Sequence, residues 1–339
     1  MATNTAAWLD EAKAYPFNVK ESSLGAPREN QVLIKNRALA MNPIDAKLQK
    51  LAVYPLSYPT ILGEDIAGEV VEVGPNVTRF KKGDRVLATA SAFSTGKAEE
   101  AGFQAYTVAN VKITSEIPDD MSFETAVVLP LCISTASSAL FLPEWLGLQL
   151  PKLPAQASTG KVVVVWGGAS SVGCNAIQLL RHAGYETIAT ASPGNFDLVK
   201  KLGAAHVFDY KSPTVVADIL GAVAGREVAG VLDAVGAAAY QQCFELADKS
   251  HGAKRVATVF PGELNPPEGV YAKKIYAPAL NSSPSAKAVF EEFLPQALKS
   301  GAYVPAPTPF VFGKGLESIQ GAIDHLFKGV SAQKVVVSL

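Results

Sequence analysis

The pattern of hydrophobic and polar positions changes along the chain near residue 125. Before that point, short apolar runs alternate with turns rich in glycine, proline and aspartate, which is typical of a β-rich domain. From Lys161 onward, nearly continuous apolar strands alternate with amphipathic helices, as in a parallel sheet covered on both faces. The strands predicted there cover 162–166, 187–191, 206–210, 230–235, 255–260 and 273–280, and a helix is predicted over 285–301. From about Tyr303, short strands return with one amphipathic helix over 316–327.

Composition and charge narrow the class of protein. The chain has 339 residues, 48% of them hydrophobic and 18% charged, which is typical of a globular protein of about two domains. Lysine plus arginine number 30 against 31 for aspartate plus glutamate, so no basic field is present to bind nucleic acid or an anionic membrane. The three cysteines are far apart and form no CxxC pair, which excludes a disulfide framework and a cysteine-rich zinc site.

The sequence also carries expectations about location. Acidic Asp10 and Glu11 come before any apolar stretch, so the start is not interpreted as a secretory signal. The longest uncharged stretch, 125–143, contains Pro130 and several serine and threonine residues. A membrane-spanning helix is predominantly apolar, so this stretch predicts a buried or cleft-lining helix. A cytoplasmic protein is expected.

A glycine-rich turn joins the strand at 162–166 to the next helix. We expect Gly168 to allow a tight turn and Gly173 to allow close packing of helix on sheet, with the amides of the helix start holding a pyrophosphate. The middle glycine of GxGxxG is replaced by Ser170, but the strand–turn–helix context favours a dinucleotide site. One alternative is an ordinary turn. Another is a serine nucleophile elbow, for which GASSVG is one residue too long and neither His251 nor His325 has an obvious Asp partner.

The end of the next predicted strand indicates which dinucleotide is bound. NAD sites place a carboxylate about 20 residues beyond the glycines, where this chain has Ala191 and Ser192. Ser192 and Asn195 can donate hydrogen bonds to a 2′-phosphate, and Lys200 and Tyr210 are plausible neighbours. The sequence therefore favours NADPH over NADH. The alternative is that these residues bind no phosphate: Ser192 and Pro193 are then a simple turn, and Lys200 and Lys201 lie on a solvated helix face.

A helix is predicted to begin after Asn42. Asn42 is suited to cap it, Pro43 takes the first helical position and Asp45 lies in the first turn. A buried stripe is expected to consist of Ile44, Leu48 and Leu51. Lys47 borders this stripe, so its ammonium group can point into a cleft, although an exposed lysine is the alternative.

The chain resembles the medium-chain dehydrogenase/reductase superfamily, within it the zinc-free quinone-oxidoreductase and enoyl-reductase branch. The resemblance rests on NPIDAK, YPTILGEDIAGEVVEVGPNVTRFKKGDRV, ISTA, GASSVG and ATASPGNFDLVKKLGAAHVFDY, and the last block is most similar to fungal trans-acting enoyl reductases of polyketide pathways. It implies an α/β protein with a doubly wound Rossmann sheet and a GroES-like β-rich domain. The implied divisions are a GroES-like substrate domain at 1–125, a Rossmann NADP(H)-binding domain at 126–303 and a return segment at 304–339 that completes the first domain.

The resemblance also implies that the chain holds no metal. Zinc-dependent members have GHE where this chain has Gly63, Glu64 and Asp65, and a cysteine near the position of Asn42. They also have a cluster of four cysteines that this chain lacks. Zinc in catalytic sites needs at least three good ligands. Glu64 and Asp65 are therefore interpreted as structural residues that hold backbone where the two domains join.

The resemblance implies the following site. Residues near the nicotinamide are Asn42, Pro43, Ile44 and Asp45, with Val259, Phe260, Val330 and Ser331 closing over it. Thr135 in ISTA is expected to touch the cofactor. The pyrophosphate meets Ser170, Ser171 and Val172. The adenosine 2′-phosphate is surrounded by Ser192, Pro193, Gly194, Asn195 and Tyr210, with Lys200 nearby. The first catalytic candidate is Lys47. Tyr54 and Tyr58 are weaker candidates, because each precedes a proline and Tyr-Pro pairs are common as turn and packing units.

The predicted activity is a zinc-independent, NADPH-dependent reduction of the β-carbon of an activated C=C bond in an enone or enoyl thioester. Action in trans in a polyketide or other secondary-metabolite pathway is one form that this activity can take. An NADPH:quinone oxidoreductase is one alternative, and a catalytically weak NADPH-binding accessory protein is another. The expected partner is a small-molecule or carrier-bound unsaturated substrate, with a synthase as a further candidate partner, but no nucleic acid and no membrane. Monomer and homodimer both stay open, since the predicted strand at 273–280 can pair with a second copy at a sheet edge.

Overall fold

The chain folds into two compact units. A computed structural model describes residues 3–237 and 239–339. Unit 1 comprises Met1–Leu131 and Leu298–Leu339, and unit 2 comprises Cys132–Ala297. Unit 1 is thus built from two separate stretches of sequence, and unit 2 from one.

The helices and strands are numbered in chain order. The strands are β1 (Asn4–Leu9), β2 (Asn18–Ser22), β3 (Gln31–Ala40), β4 (Thr60–Ile61), β5 (Asp65–Val73), β6 (Arg85–Thr89), β7 (Tyr106–Asn110), β8 (Thr114–Glu116), β9 (Val162–Trp166), β10 (Glu186–Ala191), β11 (His206–Asp209), β12 (Val228–Asp233), β13 (Arg255–Thr258), β14 (Tyr271–Lys274), β15 (Thr308–Lys314) and β16 (Gln333–Ser338). The helices are α1 (Pro43–Leu51), α2 (Ala92–Thr95), α3 (Phe123–Ala126), α4 (Pro130–Phe141), α5 (Ser171–His182), α6 (Phe196–Leu202), α7 (Val215–Ala222), α8 (Ala239–Lys249), α9 (Pro284–Lys287), α10 (Leu294–Lys299) and α11 (Ile319–Phe327).

Unit 1 is built around a seven-stranded sheet. Its strand order is β15-β16-β3-β5-β6-β8, with β7 also paired to β3, and a three-stranded sheet has the order β2-β1-β4. All neighbours pair antiparallel except β15 and β16. Its core contains the fully buried side chains of Leu39, Ile66 and Phe103. The β-rich character predicted for the first part of the chain is confirmed.

The register of this sheet brings the end of β3, the start of β5 and the end of β6 side by side. Ala40 at the end of β3 pairs with Asp65 at the start of β5, and Asp65 pairs with Thr89 at the end of β6. Beyond these pairs, the N–H of Ala90 donates to the carbonyl oxygen of Glu64 at 2.8 Å. Because β3 and β5 are antiparallel, the chain leaving β3 toward α1 passes beside the residue that enters β5.

Unit 2 has a parallel six-stranded sheet with strand order β11-β10-β9-β12-β13-β14. In order of appearance this is 3-2-1-4-5-6, the arrangement of the doubly wound dinucleotide-binding fold. All five residues of β9 are buried, as expected for a strand covered on both faces. The order reverses between β9 and β12, and ligands of this fold bind at the carboxyl ends of the strands at that reversal.

Two predicted elements differ from the structure, and both contain a proline. The strand expected over 273–280 is β14, Tyr271–Lys274, at the sheet edge, and Ala277–Ser282 forms a 3₁₀ helix. Pro278 lacks the N–H that a ladder requires. The helix expected over 285–301 consists of α9, a π-helical turn at Ala288–Phe293 and α10. Pro295 cannot donate an i→i−4 bond there, which accounts for the local change of helix type.

The apolar stretch around residue 125 is buried. The segment Phe123–Phe141, which contains α3 and α4, is long and apolar enough to cross a membrane by length and composition alone. However, 72% of its most apolar window is buried inside the protein. This burial confirms the prediction of a buried helix.

Candidate active site

The glycine-rich turn follows β9 and opens α5. The backbone residue with positive φ is Gly167, at +89°, so Gly167 makes the left-handed turn that we expected of Gly168. A Cβ on Gly173 would lie 2.2 Å from the carbonyl oxygen of Gly167, so only glycine lets the helix pack this closely on the turn. Ser170 caps α5, with its Oγ accepting the N–H of Gly173 at 3.0 Å.

Thr190 fixes this turn to the neighbouring strand. Its Oγ1 accepts the N–H of Gly167 at 3.0 Å, and its carbonyl oxygen accepts the N–H of Gly168 at 2.7 Å. The sequence analysis missed Thr190, although a threonine at the carboxyl end of the strand next to β9 was a usable signal. Residues 169–172 stay half-exposed at the N-terminus of α5, where free amides and the helix dipole favour an anion. These residues fit a pyrophosphate.

The ends of β10 and β11 form the second part of this site. Ala191 pairs with Asp209, so Ser192 and Tyr210 are the next residues along two adjacent parallel strands. The side chain of Tyr210 is 42% exposed, and the ammonium of Lys211 lies 5.8 Å from its ring centroid. No carboxylate ends β10. The sequence analysis missed Lys211, which adds a positive charge beside Tyr210.

The remaining candidates around Ser192 lie in one turn and one helix. Pro193, Gly194 and Asn195 form a single 3₁₀ turn whose first two residues are exposed. Lys200 lies on the exposed side of α6, five residues beyond Asn195, or about 7.5 Å along the helix axis. The structure therefore places Tyr210 beside Ser192 by register, whereas Lys200 is further along.

A buried carboxylate organises the loops after β12 and β13. Asp233 is fully buried, and its Oδ1 accepts the N–H groups of Val235 at 3.0 Å and Gly236 at 2.9 Å. Its Oδ2 accepts the hydroxyl of Thr258 at 2.6 Å, and the Thr258 Oγ1 accepts the N–H of Phe260 at 2.9 Å. The sequence analysis missed this network, since aspartate at a strand end is also common in turns.

The other predicted nicotinamide residues lie in both units. Val259 and Phe260 are half-buried after β13, and the Phe260 ring stacks on Tyr240 at 4.3 Å between centroids. Thr135 is half-buried on α4 in the part that belongs to unit 2. Val330 and Ser331 precede β16 in unit 1, half-buried and exposed respectively.

Helix α1 begins as predicted, with Asn42 at the cap and Pro43 at the first position. The Oδ2 of Asp45 accepts the N–H of Asn42 at 2.8 Å. The predicted apolar stripe is partly wrong, since Leu51 is 52% exposed and lies at the end of the helix. The buried residues of α1 are Asp45, Ala46, Leu48 and Gln49. Ile44 and Lys47 are half-buried, and Pro43 is exposed.

Beside α1, five residues of unit 1 form what we call the buried polar centre. Its members are Asn42, Asp45, Glu64, Asp65 and Lys334, all at least nine-tenths buried. The Nζ of Lys334 lies 2.8 Å from the Oδ2 of Asp65 and donates to the Oδ1 of Asn42 at 2.5 Å. The Nδ2 of Asn42 donates to the same Asp65 oxygen at 2.8 Å, and the N–H of Leu131 donates to Asp65 Oδ1 at 2.5 Å. The sequence analysis missed Lys334, whose signal was a lysine within an otherwise apolar strand.

The other two carboxyl groups of the buried polar centre are less well satisfied. Burial raises the pKa of Asp45 to about 7, despite its hydrogen bond from the Asn42 amide. Burial and the neighbouring carboxyls of Asp45 and Asp65 raise the pKa of Glu64 well above its usual range. In the described part of the chain, the Glu64 side chain makes no hydrogen bond, and the Oδ1 of Asp45 has no partner. Asp65 does hold backbone as predicted, but nothing supports that structural role for the Glu64 side chain.

The tyrosine candidates lie further along unit 1. Tyr54 is 41% exposed, and its ring packs edge-to-face on Phe93 of α2 at 5.6 Å between centroids. Tyr58 is half-buried against the core. Over 3–237 and 239–339, no hydrogen bond or ring contact joins either tyrosine to Lys47.

The residues of the buried polar centre do not fit zinc. The oxygens of Asp65 already accept hydrogen bonds from Lys334, Asn42 and Leu131, and the Lys334 ammonium would repel a second cation. Among the residues that the structure describes, no three His, Cys, Asp or Glu side chains come together in a way that could hold a metal ion.

Comparison with known proteins gives the class of this chain. Residues 28–119 match the family model described as the alcohol dehydrogenase GroES-like domain, and residues 171–265 match the one described as zinc-binding dehydrogenase. The chain is 48% identical over 336 residues to the zinc-binding alcohol dehydrogenase domain-containing protein cipB of Emericella nidulans, covering 99% of this chain and 98% of cipB. It is 39% identical over 340 residues to the trans-enoyl reductase himH of Aspergillus japonicus, covering 99% and 97% of the two chains.

Solved structures support the fold alone. An alcohol dehydrogenase superfamily protein from Novosphingobium aromaticivorans superposes with a TM-score of 0.79 at 24% identity, covering 99% of this chain and all of that one. Mycobacterial Rv1454c complexed with NADPH superposes with a TM-score of 0.73 at 23% identity, over 99% and 100% of the two chains.

The family models and the relatives therefore define an oxidoreductase with a GroES-like domain and a dehydrogenase domain, and unit 2 has the strand order of the Rossmann fold. The chain belongs to the medium-chain dehydrogenase/reductase superfamily, and its fungal relatives include proteins named as trans-enoyl reductases. The resemblance inferred from its motifs, and the predicted fold class, are confirmed.

Proposed function

We propose that this chain is an NADPH-dependent reductase that acts on the C=C bond of an enone or enoyl thioester. The observation that carries the cofactor choice is the carboxyl edge of β10 and β11. Register places Ser192 beside Tyr210 there, Lys211 adds a positive charge, and no carboxylate ends β10 to repel a 2′-phosphate. The trans-enoyl reductase relatives support the choice of substrate class.

The cofactor-binding residues are proposed on the geometry of unit 2. The pyrophosphate lies on the amides at the start of α5, beside Ser170, Ser171 and Val172. The adenosine phosphate lies at Ser192–Asn195 and Tyr210, with Lys200 and Lys211 as flanking cations. Thr135, Val259 and Phe260 serve the nicotinamide end. When bound, NADPH supplies a hydride, and the residues of the chain orient it and exclude water.

The substrate-binding residues are proposed in unit 1. Because the polar residues there do not fit zinc, the accepting carbon must be activated by conjugation with a carbonyl group. As hydride adds to the β-carbon, negative charge develops on the carbonyl oxygen, which a fixed donor must stabilise. Lys47 is the proposed donor, since it lies half-buried one helical turn from the polar start of α1. Asn42, Pro43, Ile44 and Asp45 at that start, with Val330 and Ser331, complete this end.

The domain limits, partners and location remain part of the proposal. We propose 1–125 with 304–339 as the substrate domain and 126–303 as the NADPH domain, in a cytoplasmic protein. The substrate is a small molecule or is bound to a carrier. A quinone is the second candidate acceptor, favoured by the solved quinone oxidoreductases that share this fold. Oligomeric state stays open between monomer and homodimer.

Two measurements test the proposal. Parallel titrations with NADPH and NADH, followed by fluorescence of the reduced nicotinamide, should show at least about tenfold tighter binding of NADPH. Oxidation of NADPH should then be faster with a crotonyl thioester or an enone than with a quinone. Preference for a quinone would favour the alternative activity, and a stable NADPH complex without turnover would favour an accessory protein.

Lys47→Ala tests the proposed donor. We expect kcat to fall by more than about tenfold while NADPH affinity stays similar, because the donor acts in the transition state. Lys299→Ala, at an exposed lysine of α10, is the matched control and should leave kcat unchanged. Unchanged turnover of Lys47→Ala would remove Lys47 from the mechanism and leave Tyr54 as the next candidate.

A further inference from the structure

The buried polar centre contains one carboxyl group for which the proposed reaction has no role yet. Glu64 lies between β4 and β5, and its carbonyl oxygen is fixed by the N–H of Ala90. Its side chain is only 8% exposed, yet it makes no hydrogen bond with any residue in 3–237 or 239–339. A buried polar group without a partner is costly, so the arrangement calls for either a proton or a ligand.

The ammonium group in the buried polar centre already has other partners. The ammonium of Lys334 contacts Asp65 and Asn42, and the second Asp65 oxygen is satisfied by the backbone N–H of Leu131. Asp45 has one oxygen bound to the Asn42 amide, and its other oxygen has no partner in the described part of the chain. Glu64 is therefore desolvated beside two other carboxyls, which raise its pKa well above the usual range. Its burial and its carboxyl neighbours therefore favour the protonated form of Glu64.

Exposure singles out Glu64 among the three carboxyls. Asp45 is 1% exposed and Asp65 is completely buried, so Glu64 is the most accessible of the three residues. Glu64 keeps some access, and it lies beside the chain that leaves β3 for α1, the helix that carries the proposed donor Lys47. A neutral carboxylic acid with partial access at this place can donate a proton to a bound substrate.

We infer that Glu64 is the acid that protonates the substrate α-carbon. This inference rests on the proposed function. The hydride from the reduced nicotinamide forms the new bond at the β-carbon, and the π electrons of the C=C bond move to give an enolate. The enolate electron pair then forms the α-carbon–hydrogen bond while the O–H bond of Glu64 breaks and leaves a carboxylate. Water returns the proton to Glu64 before the next turnover.

The charges around Glu64 favour the return of a proton to its carboxylate. The charged neighbours that act on Glu64 are Asp45 on α1 and Asp65 on β5, and Asp65 is itself paired with Lys334 on β16. When Glu64 loses its proton, it therefore adds a negative charge beside two other carboxyls, and the Lys334 ammonium is already paired with Asp65. The protonation step should slow as the pH rises through the pKa of Glu64, because only the neutral acid can donate.

The test uses Glu64→Gln, which keeps the size of the side chain but has no acidic proton. Its matched control is Glu69→Gln, which makes the same change at a half-exposed residue of β5 paired with Arg37. With a nitroalkene as probe, hydride transfer in a single turnover should stay within about twofold of the wild type, while the nitronate anion accumulates because protonation is about 100-fold slower. With an enone in D₂O, deuterium should enter both faces of the α-carbon. Glu64→Asp should restore part of the protonation rate.

A second readout needs neither cofactor nor turnover. The infrared spectrum of the wild-type chain at neutral pH should contain the C=O band of a neutral carboxylic acid, which Glu64→Gln removes and Glu69→Gln retains. Absence of that band in the wild type would overturn the inference. So would a Glu64→Gln enzyme that protonates at the wild-type rate and on the wild-type face. If the wild-type enzyme reduces quinones but no alkene, the proposed function is wrong and the role of Glu64 in it falls as well.

Discussion

The two units each bury carboxyl groups near the residues proposed for function, but they treat them in opposite ways. In unit 2, Asp233 is fully buried and accepts hydrogen bonds from two backbone amides and the hydroxyl of Thr258. In unit 1, Glu64 has no hydrogen bond to the described residues, and Asp45 has one unsatisfied oxygen. The same chemical group is thus fully satisfied in one unit and left short of partners in the other.

The difference indicates what each carboxyl does. A carboxylate that accepts several hydrogen bonds fixes the groups that donate to it, as Asp233 does with the N–H groups of Val235 and Gly236. A buried carboxyl without donors takes up a proton instead. The number of hydrogen bonds that each carboxyl accepts therefore separates two roles. Asp233 holds the loops after β12 and β13 in place, whereas Glu64 and Asp45 are carboxyls that can hold and release a proton.

The largest expected effect comes from breaking the one ion pair in the buried polar centre. Lys334→Met leaves Asp65 as a buried charge without its cation, which should lower the free energy of unfolding by about 3–5 kcal/mol. Urea denaturation measures this loss. The control Arg37→Met breaks the half-exposed pair with Glu69 and should cost less than about 1 kcal/mol. Equal losses in both variants would show that the centre does not depend on this pair.

The second effect concerns pH. The pKa of Asp45 is raised from 3.8 to about 7 in the folded chain, so folding favours its protonated form. This contribution to stability is complete below about pH 4 and is lost as the pH rises to about 7, an effect of at most about 4 kcal/mol. Asp45→Asn keeps an acceptor for the Asn42 amide but cannot titrate.

Denaturation curves of the wild type and Asp45→Asn between about pH 5 and pH 8 measure that contribution. The stability of the wild type relative to the variant should fall as the pH rises through this range. A constant difference between the two proteins would mean that Asp45 is ionised throughout, and the contrast with Asp233 would then be wrong.

The sequence predicted the elements better than it predicted their polar contacts. The glycine turn, the start of α1 and the parallel strands follow from local patterns, because glycine, proline and apolar periodicity act over a few residues. Lys334 contacts Asn42, which lies 292 residues earlier in the chain, and Asp65, which lies 269 residues earlier. No local pattern carries such a contact. The same reason explains why Thr190 and Asp233 were missed.

The third expected effect lies in the cofactor loops of unit 2. Asp233→Ala removes the acceptor of three donors, so it should lower the free energy of unfolding by about 2–3 kcal/mol and weaken NADPH binding by about tenfold or more. Thr258→Val removes one of those hydrogen bonds and should give a smaller loss of both. Calorimetric titration with NADPH measures the affinity. Loss of stability with unchanged affinity would show that Asp233 supports the sheet but does not position the cofactor.

The smallest effect comes from adding a carboxylate where unit 2 has none. Ser192→Asp places a charge on a half-buried residue at the end of β10, where partial contact with water favours its ionised form, unlike the buried Glu64. Repulsion of a 2′-phosphate should weaken NADPH binding by up to about tenfold, whereas NADH affinity should hold or improve, because a carboxylate can accept from its ribose hydroxyl. Ser158→Asp adds the same charge in the exposed loop that precedes β9, at the amino end of the same sheet, and should change neither affinity. Because the two variants add the same charge at opposite edges of the sheet, equal losses of NADPH affinity would contradict the proposed position of the phosphate.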